Sequence, residues 1–508
     1  MTSGATAATG LGADRAEGVV DQQRAPLLEG IRRYHALGIV PFSTPGHKLG
    51  GALDDELRDR FGETLFRNDI PLGGGIDDTH FQGETLQAAE WLAAAAWNAD
   101  RTFYLVNGSS AGNHAYLLAA IRPGDTVIVG RDMHKSVLVA LILTGAKPVY
   151  VAPRLHPALN VGMGVAPDDI AAALDAHPEA RLVALVSPSY CGVSSDLAGI
   201  AAVAHARGVP VYVDEAWGPH FHFHPALPPS AMASGVDGAV TSAHKMLGSL
   251  TQAALLNTRG PRVEAAKIKT AVGMVVTTSP SVPLLASIDG ARRQMALQGE
   301  ALLERAIALA ADARRRLRAI PGVGVLDGEQ LGAPGFDLTK LVIDVNGLGV
   351  TGFAVEALLR ERFGIGPEMS DLVGVVCLVT LADNAASIDR LVQAFATIAA
   401  ERAGTSPIGA ALRSSGAAIA PGEQAMSPRE AFFADVRTVP LAEAVGEVSA
   451  ELVIPYPPGI PVLAPGDIVS AEKIAYLEAG AASGMYFSGP VDQTLATIRV
   501  VDHVGRLS

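Results

Sequence analysis

A chain of 508 residues, 49% apolar and 18% charged, is long enough to bury a large core in more than one domain. Its 39 basic and 52 acidic residues give a net charge of −13, the wrong balance for a polyanion binder, so nucleic acid is excluded as the expected partner. No apolar run reaches the length of a membrane span and no basic-then-apolar leader opens the sequence, which predicts a soluble, cytoplasmic protein without membrane contact. Cys191 and Cys377 are far apart and lack metal-ligand spacing, so two reduced thiols are expected.

Residues 1–60 are expected to hold a flexible Gly/Ala-rich segment, a helix over 25–37 and the loop PFSTPGHKLGG. A second Gly-rich loop, PLGGGIDDTH, spans 71–80. From 84 to 330 strands and helices alternate: helix ETLQAAEWLAAAAWNA, strand RTFYLV, helix SAGNHAYLLAAI, strand TVIVG, helix KSVLVALILTG, strand KPVYVA, helix PDDIAAALDAH. RLVALVSP and VPVYVDEA are uninterrupted apolar strands, as in a sheet covered on both faces, and GAVTSAH is a further strand. This is the pattern of a parallel, doubly wound α/β sheet, with the large domain placed at 61–290. A long helix over 285–318, strands KLVIDV and VGVVCLVT and helices GFAVEALLRERF and SIDRLVQAFATIAAERA make a small α+β domain at 291–402. A Gly/Ser/Pro/Ala-rich linker is expected at 403–424 and a C-terminal domain at 425–508.

The chemistry sits at the ends of these strands. Asp214 ends VPVYV, at the edge where a parallel sheet meets its ligand crevice. Lys245 follows the strand GAVTSAH, and His134, in RDMHKS, follows TVIVG. Asn107–Asn113 (NGSSAGN) joins a strand to a helix; its small residues allow close approach, and Ser109 and Ser110 can cap the helix and bind phosphate. Singly, each has a bland reading as a surface lysine, a capping aspartate or a plain turn. In this order they meet the demands of pyridoxal phosphate: an imine-forming lysine, a carboxylate for the pyridine nitrogen, a flat side chain over the ring and a phosphate cradle. Two other patterns compete. His220, His222 and His224 alternate with Phe and at strand period share one face, like metal ligands, but no partner ligand stands at zinc spacing, so a surface or supporting role without metal is favoured. Asp77 and Asp78 pattern as an acid–base pair or, preferred, as residues that fix a loop or line a cationic substrate's path.

The runs STPGHKLG, DDTH, NGSSAGN, RDMHKS, SPSYCGVSSDL, VDEAWGPHFHF, LPPSAM, TSAHKMLGSLTQ and YPPGIPVLAPGD resemble the signatures of the fold-type-I, pyridoxal-phosphate-dependent ornithine/lysine/arginine decarboxylases, in the same order from about residue 26 onward. The resemblance implies an aspartate-aminotransferase-like fold with a mostly parallel seven-stranded sheet. It implies that Lys245 forms the imine, Asp214 pairs with the pyridinium nitrogen and His134 stacks on the ring. Ser110, the Ala111 backbone, Ser242 and His244 would hold the phosphate. Trp217 stands where many short members have His and larger ones Trp, and would contact the cofactor. Of the three histidines only His220 belongs to the family pattern. The implied reaction is decarboxylation of a basic L-amino acid, with arginine preferred over lysine or ornithine because no receiver-like wing domain is evident. The implied assembly is a homodimer or higher oligomer in which His47 reaches across an interface, and Glu451 is a candidate for the substrate's distal cation. Another fold-type-I reaction (aminotransferase, aldolase or carbon–sulfur lyase) is the alternative, with Arg360 and Arg362 as candidate carboxylate ligands of an aminotransferase; a non-catalytic homologue is the third reading.

Overall fold

The computed structural model describes residues 20–72, 76, 84–154, 156, 161–402, 421–456, 461–482 and 484–502. Asp77 and Asp78, most of the predicted N-terminal flexible segment and residues 403–420 of the expected linker lie outside these.

Helix α1 (Pro26–Ala36) turns Leu27, Ile31 and Tyr34 inward. These residues share an apolar cluster with the large domain, so α1 is part of its core. An arm follows with two short helices, α2 (Asp55–Phe61) and α3 (Glu63–Asn68), neither of which buries a residue. Helix α4 (Glu84–Ala96) then leads into the central sheet.

That sheet contains seven strands: β1 (Arg101–Leu105), β2 (Thr126–Gly130), β3 (Lys147–Val151), β4 (Leu182–Val186), β6 (Val211–Asp214), β7 (Gly238–Thr241) and β8 (Ala254–Thr258), with the two-residue β5 (Val193–Ser194) outside it. Their order is β1-β8-β7-β6-β4-β2-β3. Strands β3, β2, β4, β6 and β7 pair in parallel, while β8 runs antiparallel to both β7 and β1. The apolar strands read from the sequence are buried on both faces: every residue of β6, β7 and β8 is inaccessible. Helices α5 (Gly108–Ala120), α6 (Lys135–Thr144), α7 (Pro167–Ala176), α8 (Leu197–His205), α9 (Ala243–Met246) and α10 (Ala265–Val275) connect and cover the strands. The right-handed layering puts the ends of β1, β2, β6 and β7 on one edge.

Helix α11 (Val282–Arg318) is continuous through both the large and small domains; Pro near its start and Arg315, Arg316 and Arg318 in its last turn suit the two ends of a helix. The small domain is a four-stranded antiparallel sheet with β11 (Lys340–Asp344) and β13 (Gly374–Leu378) at its centre. Two further helices, Gly352–Phe363 and Ala385–Glu401, pack on it. The C-terminal unit pairs Val436–Pro440 with Thr497–Val501 around its own apolar cluster. Gln424 already bridges to Asp467 in this unit.

One local expectation fails. Phe221–Phe223 is a 3-10 turn, not a strand, so His220, His222 and His224 do not share a face. His220 is drawn to Asp337 at 3.2 Å and His224 to Glu304 at 2.9 Å, and these separate partners outweigh the alternating pattern. Among the described residues no cluster of His, Cys, Asp or Glu is arranged to hold a metal, and no helix is long and apolar enough to cross a membrane. Both cysteines are free thiols, pushed up to about 12 by burial.

Candidate active site

The turn after β1 sets one wall of the site. Asn107 stands at the N-cap position of α5 with no side-chain capping bond, Gly108 takes a positive φ of 71°, and the first turn carries Ser109, Ser110 and Ala111. Ser109 Oγ lies 2.6 Å from Ser242 Oγ, so the turns after β1 and β7 meet in one hydroxyl-lined cradle at a helix start. Ser109, Ala111 and Ser242 are buried, and Ser110 is half-buried. His244 Nδ1–H donates to the Ala253 carbonyl at 3.0 Å, which turns Nε2 the other way, and burial lowers the ring's pKa.

Asp214 is buried at the end of β6. Its Oδ1 accepts from the Ala216 amide at 3.1 Å and its Oδ2 from Asn113 Nδ2 at 2.8 Å. Asn113 holds three partners: its amide nitrogen also donates to Ser136 Oγ at 2.7 Å, and its oxygen accepts from Tyr212 Oη–H at 2.7 Å. Ser136 in turn holds His134, with Oγ 2.7 Å from Nδ1 and its amide donating to the same nitrogen at 3.2 Å. A nitrogen that accepts from an amide carries no proton, so the neutral His134 ring has its proton on Nε2. Burial lowers the His134 pKa, and Lys245, Lys135 and His114 add to that against the pull of Asp214. The carboxylate and the ring are thus fixed to each other through Asn113 and Ser136.

Lys245 lies on α9, directly after β7. Its Nζ sits 4.0 Å from the centre of the Trp217 ring. Burial lowers its pKa, while Asp214 and Glu368 oppose the shift. A second ammonium, Lys340 Nζ from the start of β11, is 3.6 Å from the same ring centre and donates to the Tyr190 carbonyl at 3.0 Å. Burial pushes Lys340 down to about 8. Glu368 is pushed up by burial and held back by Lys340 and Lys245.

Lys245, Asp214, His134, Trp217, Ser109 and Ser242 therefore converge. His47 does not join them within the chain: its Nε2 pairs with Asp69 at 3.3 Å and its Nδ1 accepts from the Gly50 amide, both in the arm. Glu451 is buried in the C-terminal unit, where its two oxygens accept from the Val491 and Arg499 amides, each at 3.1 Å. Arg360 and Arg362 are taken up in surface pairs with Glu356 and Glu401. Sequence reasoning missed Asn113, Ser136, Tyr212, Lys340 and Glu368. Asn113 and Ser136 lay inside motifs already singled out; Lys340 and Glu368 carry no local signal, because their proximity to Lys245 is made by the small domain folding back.

The donor set fits pyridoxal phosphate. The Trp217 indole N–H is buried beside Lys245 with no hydrogen-bond partner among the described residues, as expected where an acceptor-bearing ligand belongs. Asp214 would face the ring nitrogen, His134 the ring, Ser109 and Ser242 the phosphate, and Lys245 the carbonyl carbon.

Residues 25–333 match the family model described as Orn/Lys/Arg decarboxylase, major domain, and residues 413–494 match the Orn/Lys/Arg decarboxylase, C-terminal domain. The arginine decarboxylase of Halalkalibacterium halodurans is 39% identical over 485 residues, covering 94% of this chain and 98% of that protein. The arginine decarboxylase of Bacillus subtilis strain 168 is 39% identical over 487 residues, covering 95% and 99%. Among solved structures, a lysine decarboxylase of Francisella novicida superposes with a TM-score of 0.79 at 22% identity, covering 94% of this chain and 81% of that one, a likeness of fold.

Proposed function

The chain belongs to the Orn/Lys/Arg decarboxylase family and is a pyridoxal-phosphate-dependent amino-acid decarboxylase; we propose that arginine is its substrate and agmatine its product. The observation that carries the chemical part is the convergence of half-buried Lys245 with the linked pair Asp214 and His134. The choice of arginine is supported by the relatives of near-equal length that bear that name.

Bound pyridoxal phosphate supplies an electron sink for the pair left behind when CO₂ departs. The protein's part is electrostatic and steric. Asp214, held in place by Asn113 and Ala216, would keep a proton on the nitrogen of a bound pyridine ring. The neutral His134 ring would cover one face of the bound ring and keep water from it. Burial keeps the Lys245 amine more readily neutral, hence nucleophilic, than a surface lysine. Glu368, whose charge acts on Lys245 from the small domain, is a candidate to receive the cationic substrate. Arg360 and Arg362, already paired, give the aminotransferase alternative no support.

A second copy of the chain is the proposed partner. The arm before α3 leaves Phe42 97%, Val40 75%, Leu37 73% and Phe61 62% exposed, apolar surface that a dimer or larger homo-oligomer would cover, and it carries His47.

The test is a CO₂-release screen over all amino acids with product identification. Arginine is expected to turn over fastest. Lysine or ornithine ahead of it would overturn the substrate, and silence on all three would overturn the substrate class. In Glu368→Gln, KM for the accepted amino acid should rise about tenfold with cofactor affinity unchanged, the loss of one charge-assisted contact; an unchanged KM removes Glu368 from the substrate path.

A further inference from the structure

Two motifs that are far apart in sequence meet in the fold. Arg131, in the run RDMHKS, lies three residues before His134; Asp467 ends the run YPPGIPVLAPGD in the C-terminal unit. The Arg131 guanidinium pairs with the Asp467 carboxylate, and both side chains are completely buried. Asp467 also accepts from the Ala464 amide at 3.1 Å and pairs with Lys473 at 3.2 Å, while Arg131 reaches the Val462 carbonyl at 3.4 Å and lies 4.6 Å over the Tyr150 ring. Around this pair, Ala464 packs into the same apolar cluster as Val129, Met133 and Leu138, on either side of His134.

The C-terminal unit also grips the far end of α6. Arg429 Nη1 donates to the carbonyls of Ile142 at 2.9 Å and Leu143 at 3.0 Å, two of the acceptors a helix end leaves open. Helix α6 starts at His134, its N-cap residue. The strand-to-helix unit that presents His134 is therefore clamped before the histidine by Asp467 and at the end of its helix by Arg429.

We infer that the C-terminal unit sets the position of His134, with Asp467 and Arg429 as positioning residues acting through Arg131 and α6. The inference rests on the reading of His134 as the cofactor-facing ring. It assigns the C-terminal unit a part in the site that is exerted through the large domain, although the acid singled out there by sequence, Glu451, is occupied by backbone amides.

The test uses the full-length apo-protein titrated with pyridoxal 5′-phosphate, reading the dissociation constant and the visible circular dichroism of the bound cofactor, which reports its orientation. Asp467→Asn and Arg429→Ala should each weaken binding about tenfold, a loss of the size that small misplacement produces, and change the visible dichroism. In a His134→Ala background neither should weaken it further, because residues acting through one group are non-additive. Asp467→Asn leaves Arg131 without its buried counter-charge and can fail to fold; Arg429 is exposed, and its variant then decides the question. Variants that only lower the melting temperature, with affinity and dichroism unchanged, overturn the inference. If His134→Ala itself binds the cofactor as tightly as the parent, the reading of His134 falls and this inference with it; if it binds weakly while the Asp467 and Arg429 variants bind normally, only this inference falls.

Discussion

Asp214 and Glu215 stand side by side at the end of β6 in different surroundings. Asp214 has polar donors on both oxygens, whereas Glu215 is buried with one described donor, the Ala231 amide, 2.7 Å from its Oε1. Burial pushes Glu215 up to about 8, against the pull of that amide, so it keeps its proton at neutral pH. An acid whose pKa is raised by folding contributes stability that is fully present below its unfolded pKa and lost as pH rises through the folded one. The window here runs from the ordinary glutamate range up to about 8. Glu215→Gln keeps the acceptor for Ala231 and removes the titration. Its stability should match the parent's near pH 4 and exceed it by on the order of 3 kcal/mol at pH 7. Urea unfolding at both pH values checks this; an equal difference at the two would refute the assignment.

At the scale of elements, α5 is the helix that brings the Ser109–Ser242 hydroxyl cradle and the Asp214 clamp together, since Ser109 and Asn113 both lie on it. It approaches the sheet closely because of Gly112: a Cβ there would stand 2.5 Å from Val240 Cγ2 and 2.9 Å from Leu105 Cδ1. Neither β-strand side chain has room to retreat, since both Val240 and Leu105 are fully buried. Gly112→Ala should therefore cost about 1–3 kcal/mol as overpacking and, by lifting α5, weaken cofactor binding as well; thermal melting and cofactor titration read the two effects, and a variant with parental values in both would show that the sheet accommodates the methyl. How much of this was legible beforehand follows the range of the forces. The strand ends and their order were legible, because period-2 and unbroken apolar runs are local and the chemistry hangs on the residues that follow them. The Asn113 relay was half-legible: the residue lay in a noted motif, but its three hydrogen bonds go to Ser136, Tyr212 and Asp214, on other elements. Lys340 opens a strand as any surface lysine does, and nothing near it in sequence tells that it is fully buried on Trp217. The His220–His224 run misled for the converse reason, a clear local period broken by distant carboxylates.

At the scale of the whole molecule, the site draws on three units: the large domain supplies Lys245, Asp214 and His134, the small domain Lys340 and Glu368, and the C-terminal unit the clamp on Arg131. The N-terminal arm is the part that the single chain leaves unexplained. It spends a run of large apolar side chains on solvent, with Phe42 almost wholly exposed, and a monomer gains nothing from that. His47 lies on the same arm, tied to Asp69 and to the Gly50 amide. If the arm lies on a second copy, Phe42→Asp with Phe61→Asp should shift the protein from dimer to monomer at micromolar concentration in sedimentation analysis. A parent that sediments as a monomer would already end the homo-oligomer reading. Complementation then asks whether the site itself is shared. Lys245→Ala and His47→Ala protomers are each expected to be inactive. If His47 serves the partner's site, random re-pairing makes about half of the dimers mixed, and each mixed dimer holds one site with both residues intact, so about a quarter of the parental activity should return. If His47 serves its own chain's site, no mixed dimer contains a complete site and the mixture stays inactive, so recovery of activity separates an arm that completes the neighbour's site from one that only holds the two chains together.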